Sequence, residues 1–497
     1  MINQLTPTFI LGIIAAYFLV LITVSYFTGR KAGNAEFFLA GRRSPWLLVA
    51  IGMIGASLSG VTFISIPGVV GAGGANQSFS YMQMVFGYLL GYLIIAQVLL
   101  PLYYRLNLTS IYTFLEQRLG YHAYKTGAAY FMLSRIIGSS FRLYLVAIVL
   151  QQFVLGPFGI PFIATVAVTI LLIWVYTSKG GIRTIVYTDT LQTVCMLSAV
   201  VLTIISIGNA LETDLGGLVA MVRSSDYSQM FFFEGGWNDP NNFFKQFISG
   251  ALIAVVMTGM DQDMMQKNLS CRNIGEAQKN VYTFSVVLVF ANMLFLMLGA
   301  LLYIYAASIG LEVPEKTDEL FPMIALRHLS PTVGILFILG LIAAAYSSAD
   351  SALTALTTSF CVDFLGIEKS QASEEEKRRT RGIVHIGISL VLLIIIVIFN
   401  ALNNEAVISQ LFIAAGYTYG PILGLFSFGM FTRRELHSFW VIPVCIAAPV
   451  LSYIVNDNSA RWLSGFELGF LIIALNGLLT FVGLWAISRP GQNGVDG

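Results

Sequence analysis

Charge is scarce in this sequence. Only 11% of its 497 residues are Asp, Glu, Lys or Arg, against 57% hydrophobic. A soluble chain of this length needs more charge to cover its surface, which excludes an ordinary water-soluble globular class. Cysteine is scarce as well. Cys195, Cys271, Cys361 and Cys445 fall in apolar runs or in loops read as cytoplasmic, so a disulfide framework is not expected. The four histidines are scattered without ligand spacing, which leaves a transition-metal site unsupported. The opening "MINQLTPTF" lacks a basic n-region, and Gly29-Arg30-Lys31 follows the first apolar run. That run therefore reads as a retained helix and not a cleaved signal. No Walker loop, metal cluster or nucleophile and base at motif spacing is present, which argues against a membrane enzyme. The net charge of +1 implies neither an acidic nor a basic partner, and nucleic acid is not expected.

What is present is a succession of long apolar runs. With roughly 20 apolar residues needed per crossing, thirteen candidate spans lie near 8–28, 46–71, 80–104, 124–153, 160–177, 184–208, 246–266, 280–309, 332–361, 382–401, 405–431, 437–455 and 464–487. The chain is expected to be an all-α polytopic membrane protein. Most of its Lys and Arg fall in one alternate set of loops, with Arg30, Lys31, Arg42 and Arg43 in the first and Lys377, Arg378, Arg379 and Arg381 in the ninth. The positive-inside rule then puts the N-terminus outside and the C-terminus in the cytoplasm. The longest connections are 209–245, outside, and 365–381, a solvated charged connector inside.

Two spans are interrupted. The second reads "LLVAIGMIGASLSGVTFISIPGVVGAGG" and the seventh "FISGALIAVVMTGMDQDMMQ", each with glycines and hydroxyls inside the apolar run. A broken helix at the bilayer midplane frees carbonyls that can hold a cation. Close packing through small residues is the structural alternative.

Ionisable residues inside spans are functional candidates, because each costs about 2.5 to 3.5 kcal/mol at the centre of a helix. They are Arg135 and Arg142 in span four, Asp189 in span six, and Asp350 in span nine. Asp261 and Asp263 close span seven near a basic loop, where an interfacial role is expected. In "AAAYSSADSALTALTTS", residues 343–359, Ser347, Asp350, Ser351, Thr354 and Thr358 share one helical face. Hydroxyl, carboxylate and freed carbonyl oxygens are what a hard cation takes. The later threonines and Ser359 are expected to bond back to their own helix.

These motifs resemble the sodium/solute symporter family, which includes sodium-coupled transporters of sugars, sialic acid, proline and iodide. The resemblance runs in order through nearly the whole chain. It is carried by "AEFFLAGRRSPW", "GASLSGVTFISIPG", "LTSIYTFLEQRLG", "YTSKGGIRTIVYTDTLQ", "MMQKNLSCRNIGEAQK" and "AAAYSSADSALTALTTSFCVDF". It implies a LeuT-type fold of two five-helix inverted repeats, spans 2–6 and 7–11, with one helix before and two after. The corresponding divisions are 1–45, 46–208, 209–245, 246–431 and 432–497.

The resemblance also implies a sodium site from the carbonyls of Gly55, Leu58 and Ala344 and the hydroxyls of Ser347 and Ser348. A second cation site is left open at Asp189, Ser347, Asp350 and Ser351, because Asp350 stands where relatives carry a hydroxyl. Solute would lie against Ser59 and Thr62, against Tyr81, Val85 and Tyr88, and against Gly138 flanked by Arg135 and Arg142. The span-two motif is closer to the sialic-acid branch than to the sugar branch. A guanidinium can clamp a carboxylate, and pairing of Arg142 with Asp189 or Asp350 is the competing reading. The function so implied is sodium-coupled import of a small polar solute, a sugar or a sugar acid, across a bacterial inner membrane. Proton coupling through Asp189 or Asp350 and a passive facilitator are the rivals. Sodium, solute and the lipid bilayer are the partners, and the chain is expected to be monomeric or weakly associating.

Overall fold

The computed structural model describes residues 6–30, 33–178, 180–402, 407–436 and 438–490. Lys31 and the end of the C-terminal tail lie outside them. The long helices, in chain order, are α1 (Pro7–Gly29), α2 (Trp46–Leu58), α3 (Gly60–Val69), α4 (Tyr81–Arg105), α5 (Tyr121–Leu150) and α6 (Phe162–Thr177). They continue with α7 (Ile182–Ala210), α8 (Phe243–Gly259) and α9 (Gln262–Leu269), α10 (Ile274–Ser308), α11 (Pro331–Phe364) and α12 (Glu374–Leu402). The last are α13 (Val407–Phe431), α14 (Val441–Trp462) and α15 (Gly469–Ile487).

Among the described residues, nine helices are long and apolar enough to cross a membrane, and eleven spans result if each of two bent pairs is one span. The bent pairs are α2 with α3, at 52°, and α8 with α9, at 64°. Both interruptions anticipated in spans two and seven are therefore breaks in the helix. Two further expected spans fall on α6, apolar but only 16 residues long, and on α13, which carries Pro421 inside it.

Burial orders the bundle from centre to rim. The most apolar stretch of α11 is 78% buried, against 28% in α1 and α12 and 22% in α14. α11 is thus the central helix, and the others present apolar surface outward, as lipid-facing helices do. α7 packs against α11 and α2, α4 against α8, and α13 against α15 and α5. Glycines set the closest approaches: a Cβ on Gly250 of α8 would stand 2.1 Å from the Met84 carbonyl oxygen of α4. Gly250 is a packing glycine, and the break in that span comes later, at Met260 and Asp261. Part of the connector expected at 365–381 is already helix, since α12 begins at Glu374. A two-stranded ribbon pairs Glu435 with Arg489 and Leu436 with Ser488, tying the end of α15 to the loop after α13.

Candidate functional site

The first break turns on Ser59, whose φ of 18° and ψ of 173° leave the helical region. Its N–H still reaches the Gly55 carbonyl, and the ladder resumes from the Phe63 N–H to the Ser59 carbonyl. The carbonyls of Ala56, Ser57 and Leu58 close the last turn of α2, which ends at Leu58. These are the orphan acceptors that every helix C-terminus leaves, placed here inside a bundle. Glycine brings the break against its neighbours. A Cβ on Gly52 would lie 2.9 Å from the Asp189 Cβ, and one on Gly55 would lie 2.2 Å from Thr193 Oγ1 and 3.3 Å from Ser347 Oγ.

Facing the break is the centre of α11, where Ala344, Ser347, Ser348, Asp350 and Ser351 are all buried. The Ser347 hydroxyl is buried without a hydrogen-bond partner. An orphaned oxygen beside freed carbonyls is a donor set that suits sodium, which takes hydroxyl and carbonyl oxygens. Ser351 Oγ instead donates to the Ser347 carbonyl at 2.8 Å. Of the later hydroxyls, Thr357 and Thr358 bond back to the carbonyls of Leu353 and Thr354. Thr354 Oγ1 is unpartnered.

The charged residues pair differently from the sequence expectation. Lys267 of α9 donates to Asp189 Oδ2 at 2.6 Å, both side chains being almost fully buried. Asp350 takes the Tyr176 hydroxyl at 2.9 Å and the Ser351 N–H at 2.5 Å. Neither acid has an arginine partner among the described residues. Arg135 forms an ion pair with Asp263 and a looser one, at 3.8 Å, with Asp261. Asp261 and Asp263, expected to play an interfacial role, are fully buried within the bundle. The reason lies in the second break: Asp261 caps α9, accepting from the N–H groups of Asp263 and Met264, and it also takes the Tyr419 hydroxyl. A helix N-terminus and a guanidinium together offset the desolvation of these carboxylates.

Arg142 has no carboxylate within ion-pair distance among the described residues. Its Nη1 donates to Ser348 Oγ at 2.9 Å, and its Nε is unpartnered.

One cavity gathers most of the solute positions anticipated from the sequence. Ser59, Thr62, Tyr81, Tyr88, Arg135 and Arg142 line it, with Leu58. A smaller adjoining cavity is lined by Arg135, Gly138, Arg142 and Tyr419. Tyr81 and Tyr88, seven residues apart on one face of α4, share a hydrogen bond of 3.0 Å. Val85, on the same face, is buried and does not line the cavity. Met257, Thr258 and Asn292 also line the cavity. These residues, with Lys267, Tyr176 and Tyr419, went unremarked in the sequence. Lys267 sits in the quoted "MMQKNLS" motif, where position alone reads as a loop cation.

The model of the family described as the sodium:solute symporter family matches residues 37–438. Among curated proteins, a sodium/sialic acid symporter of Aliivibrio fischeri is 26% identical over 477 residues, 92% of this chain and 89% of that protein. One of Proteus mirabilis is 25% identical over 489 residues, covering 96% and 93%. Among solved structures, a substrate-bound outward-open state of a Na+-coupled sialic acid symporter superposes with a TM-score of 0.81 at 20% identity. That match covers 97% of this chain and 98% of the other, and at such identity it establishes the fold.

Proposed function

We infer, for a chain that belongs to the sodium:solute symporter family, that the cavity under the α2–α3 break takes a small organic anion. The protein is a multi-pass membrane transporter that moves a small solute with sodium. Each sodium ion moving inward releases about 2.3 kcal/mol per 100 mV of membrane potential, which drives the solute uphill. The carrying observation for an anion is Arg142, which lines the cavity with no carboxylate partner among the described residues, while Arg135 is held by Asp263 and Asp261. A carboxylate on the solute would take the free guanidinium in bidentate fashion. Ser59, Thr62, Tyr81 and Tyr88 would meet its hydroxyls, and a sugar acid such as the sialic acid named for the two relatives is the first candidate.

Sodium would be held between the carbonyls of Gly55, Leu58 and Ala344 and the hydroxyls of Ser347 and Ser348. The orphaned Ser347 hydroxyl supports this set. Where a second cation was left open, the Lys267 ammonium already serves Asp189, and Tyr176 and Ser351 serve Asp350. This favours one sodium per solute, with Asp350 structural. In the reading of 46–208 and 246–431 as inverted repeats, each repeat opens on one of the two bent pairs, and thirteen spans follow if α6 and α13 are added to the eleven. In that reading one helix precedes the repeats and two follow, the N-terminus is outside, and the membrane is a bacterial inner membrane. Loss of sodium inward would let α2 and α11 separate, so that the two access states differ in sodium affinity.

Uptake into proteoliposomes with a solute panel, with and without a sodium gradient, tests this reading. Sodium-driven accumulation of an anionic sugar acid is expected. Accumulation driven by a pH gradient at zero sodium, or equilibration without any gradient, would overturn it in favour of proton coupling or facilitation.

A further inference from the structure

Arg142 touches both halves of the machinery. Its guanidinium lines the solute cavity, yet its Nη1 donates to Ser348 Oγ, an oxygen assigned above to sodium. The backbone makes the same junction: a Cβ on Gly60, just past the break, would lie 3.7 Å from both the Arg142 carbonyl oxygen and the Ala345 Cα. The break, the arginine and the central helix therefore meet at one point.

We propose that Arg142 and sodium compete for Ser348, so that arrival of the solute's anion switches the sodium site on. The proposal rests on the sodium and anion assignments just made. With the cavity empty, the guanidinium donates to the Ser348 oxygen at 2.9 Å and so places a positive charge beside a proposed sodium ligand. Both effects weaken sodium binding, because like charges this close repel strongly where water is largely excluded. A carboxylate offers the guanidinium a stronger, charge-assisted pair than a neutral hydroxyl does. The guanidinium leaves Ser348, and the anion cancels its charge. Ser348 then joins the orphaned Ser347 hydroxyl as a free ligand. By linkage, sodium raises solute affinity by the same factor. Coupling is thus built into the hydrogen bond between Arg142 and Ser348, and Arg142 acts on sodium as a positioning residue besides binding solute.

The test measures sodium affinity directly, by 22Na+ binding to purified protein with no solute present. Arg142→Gln is expected to bind sodium more tightly than wild type, by roughly 5–150-fold, the usual range of coupling between sites. Arg142→Met gives the same readout if the Gln variant does not fold, and Arg142→Lys, which keeps the charge, is expected to stay near wild type. Unchanged or weaker sodium binding in the neutral variants overturns the competition. If Ser348→Ala leaves sodium affinity unchanged in the Arg142→Gln background, where the hydroxyl is released, the sodium assignment itself has failed, which is a distinct result from failure of the competition.

Discussion

The Lys267 ammonium of α9 stands 2.6 Å from the Asp189 carboxylate of α7, with both side chains almost wholly out of contact with solvent. The pair joins the short helix after the second break to the helix against which Gly52 and Gly55 of the first break are packed. The two interrupted spans are thereby linked through one buried ion pair.

Breaking that pair from one side should be costly. Lys267→Met leaves Asp189 charged and alone, and removal of one partner from a buried pair typically costs about 3–5 kcal/mol. The variant is expected to melt well below wild type in a detergent thermal-shift assay. Adding Asp189→Asn should recover most of the loss, since the double variant buries no unpaired charge. Equal destabilisation by the single and double variants would mean that the pair carries no such energy.

The same pair bears on stoichiometry. With a fixed ammonium on Asp189, one sodium per solute is expected, and the Hill coefficient for sodium-driven uptake should be near one, as one binding site requires. Reversal-potential measurements in proteoliposomes check this independently. A two-to-one ratio would place a transported cation at Asp189 and Asp350 in spite of Lys267.

In the proposed sodium site, Ser347 and Ser348 are the hydroxyl ligands on α11. Ser348→Ala should raise the sodium concentration for half-maximal uptake by about tenfold, the equivalent of one lost ligand at 1.4 kcal/mol. Unaltered sodium dependence in the Ser347→Ala/Ser348→Ala double variant would remove α11 from the site.

The two arginines of α5 should fail in different ways. Arg135→Gln strands Asp261 and Asp263 without their cation. Lower thermal stability for every solute condition is expected, again by about 3–5 kcal/mol. Arg142→Gln breaks only one hydrogen bond to a neutral hydroxyl. It should melt near wild type while losing uptake of anionic solutes. If the two variants behave alike, the difference in their partners has no functional meaning.

Gly250 and Gly387 provide a packing contrast. A Cβ at Gly250 would meet the Met84 carbonyl oxygen at 2.1 Å, whereas nothing lies within 4 Å of one at Gly387 on α12. Gly250→Ala must push α4 and α8 apart, at a cost of about 1–3 kcal/mol or more for overpacking. Gly387→Ala should change stability by no more than about 0.5 kcal/mol, as surface substitutions do. Paired melting temperatures decide the matter.

Much of this molecule was legible in the order of its residues. Apolar run length determined the membrane class and the helices, because lipid admits only backbone that satisfies itself. Glycine and hydroxyl residues inside spans two and seven marked the two breaks, and the spacing of Ser347, Asp350, Ser351, Thr354 and Thr358 marked the polar face of the central helix. What tertiary structure alone decided is which charge answers which. Asp189 takes Lys267 from 78 residues away, Asp263 takes Arg135, and Arg142 is left to Ser348, 206 residues distant. Helical periodicity reports only neighbours three and four residues apart. Ion pairing in a low-dielectric interior depends on distances between helices that are set by packing, here by glycines that let α2 approach α7 and α11. A few ångströms in that packing separate a solute clamp from an internal salt bridge, and no local pattern of residues encodes them.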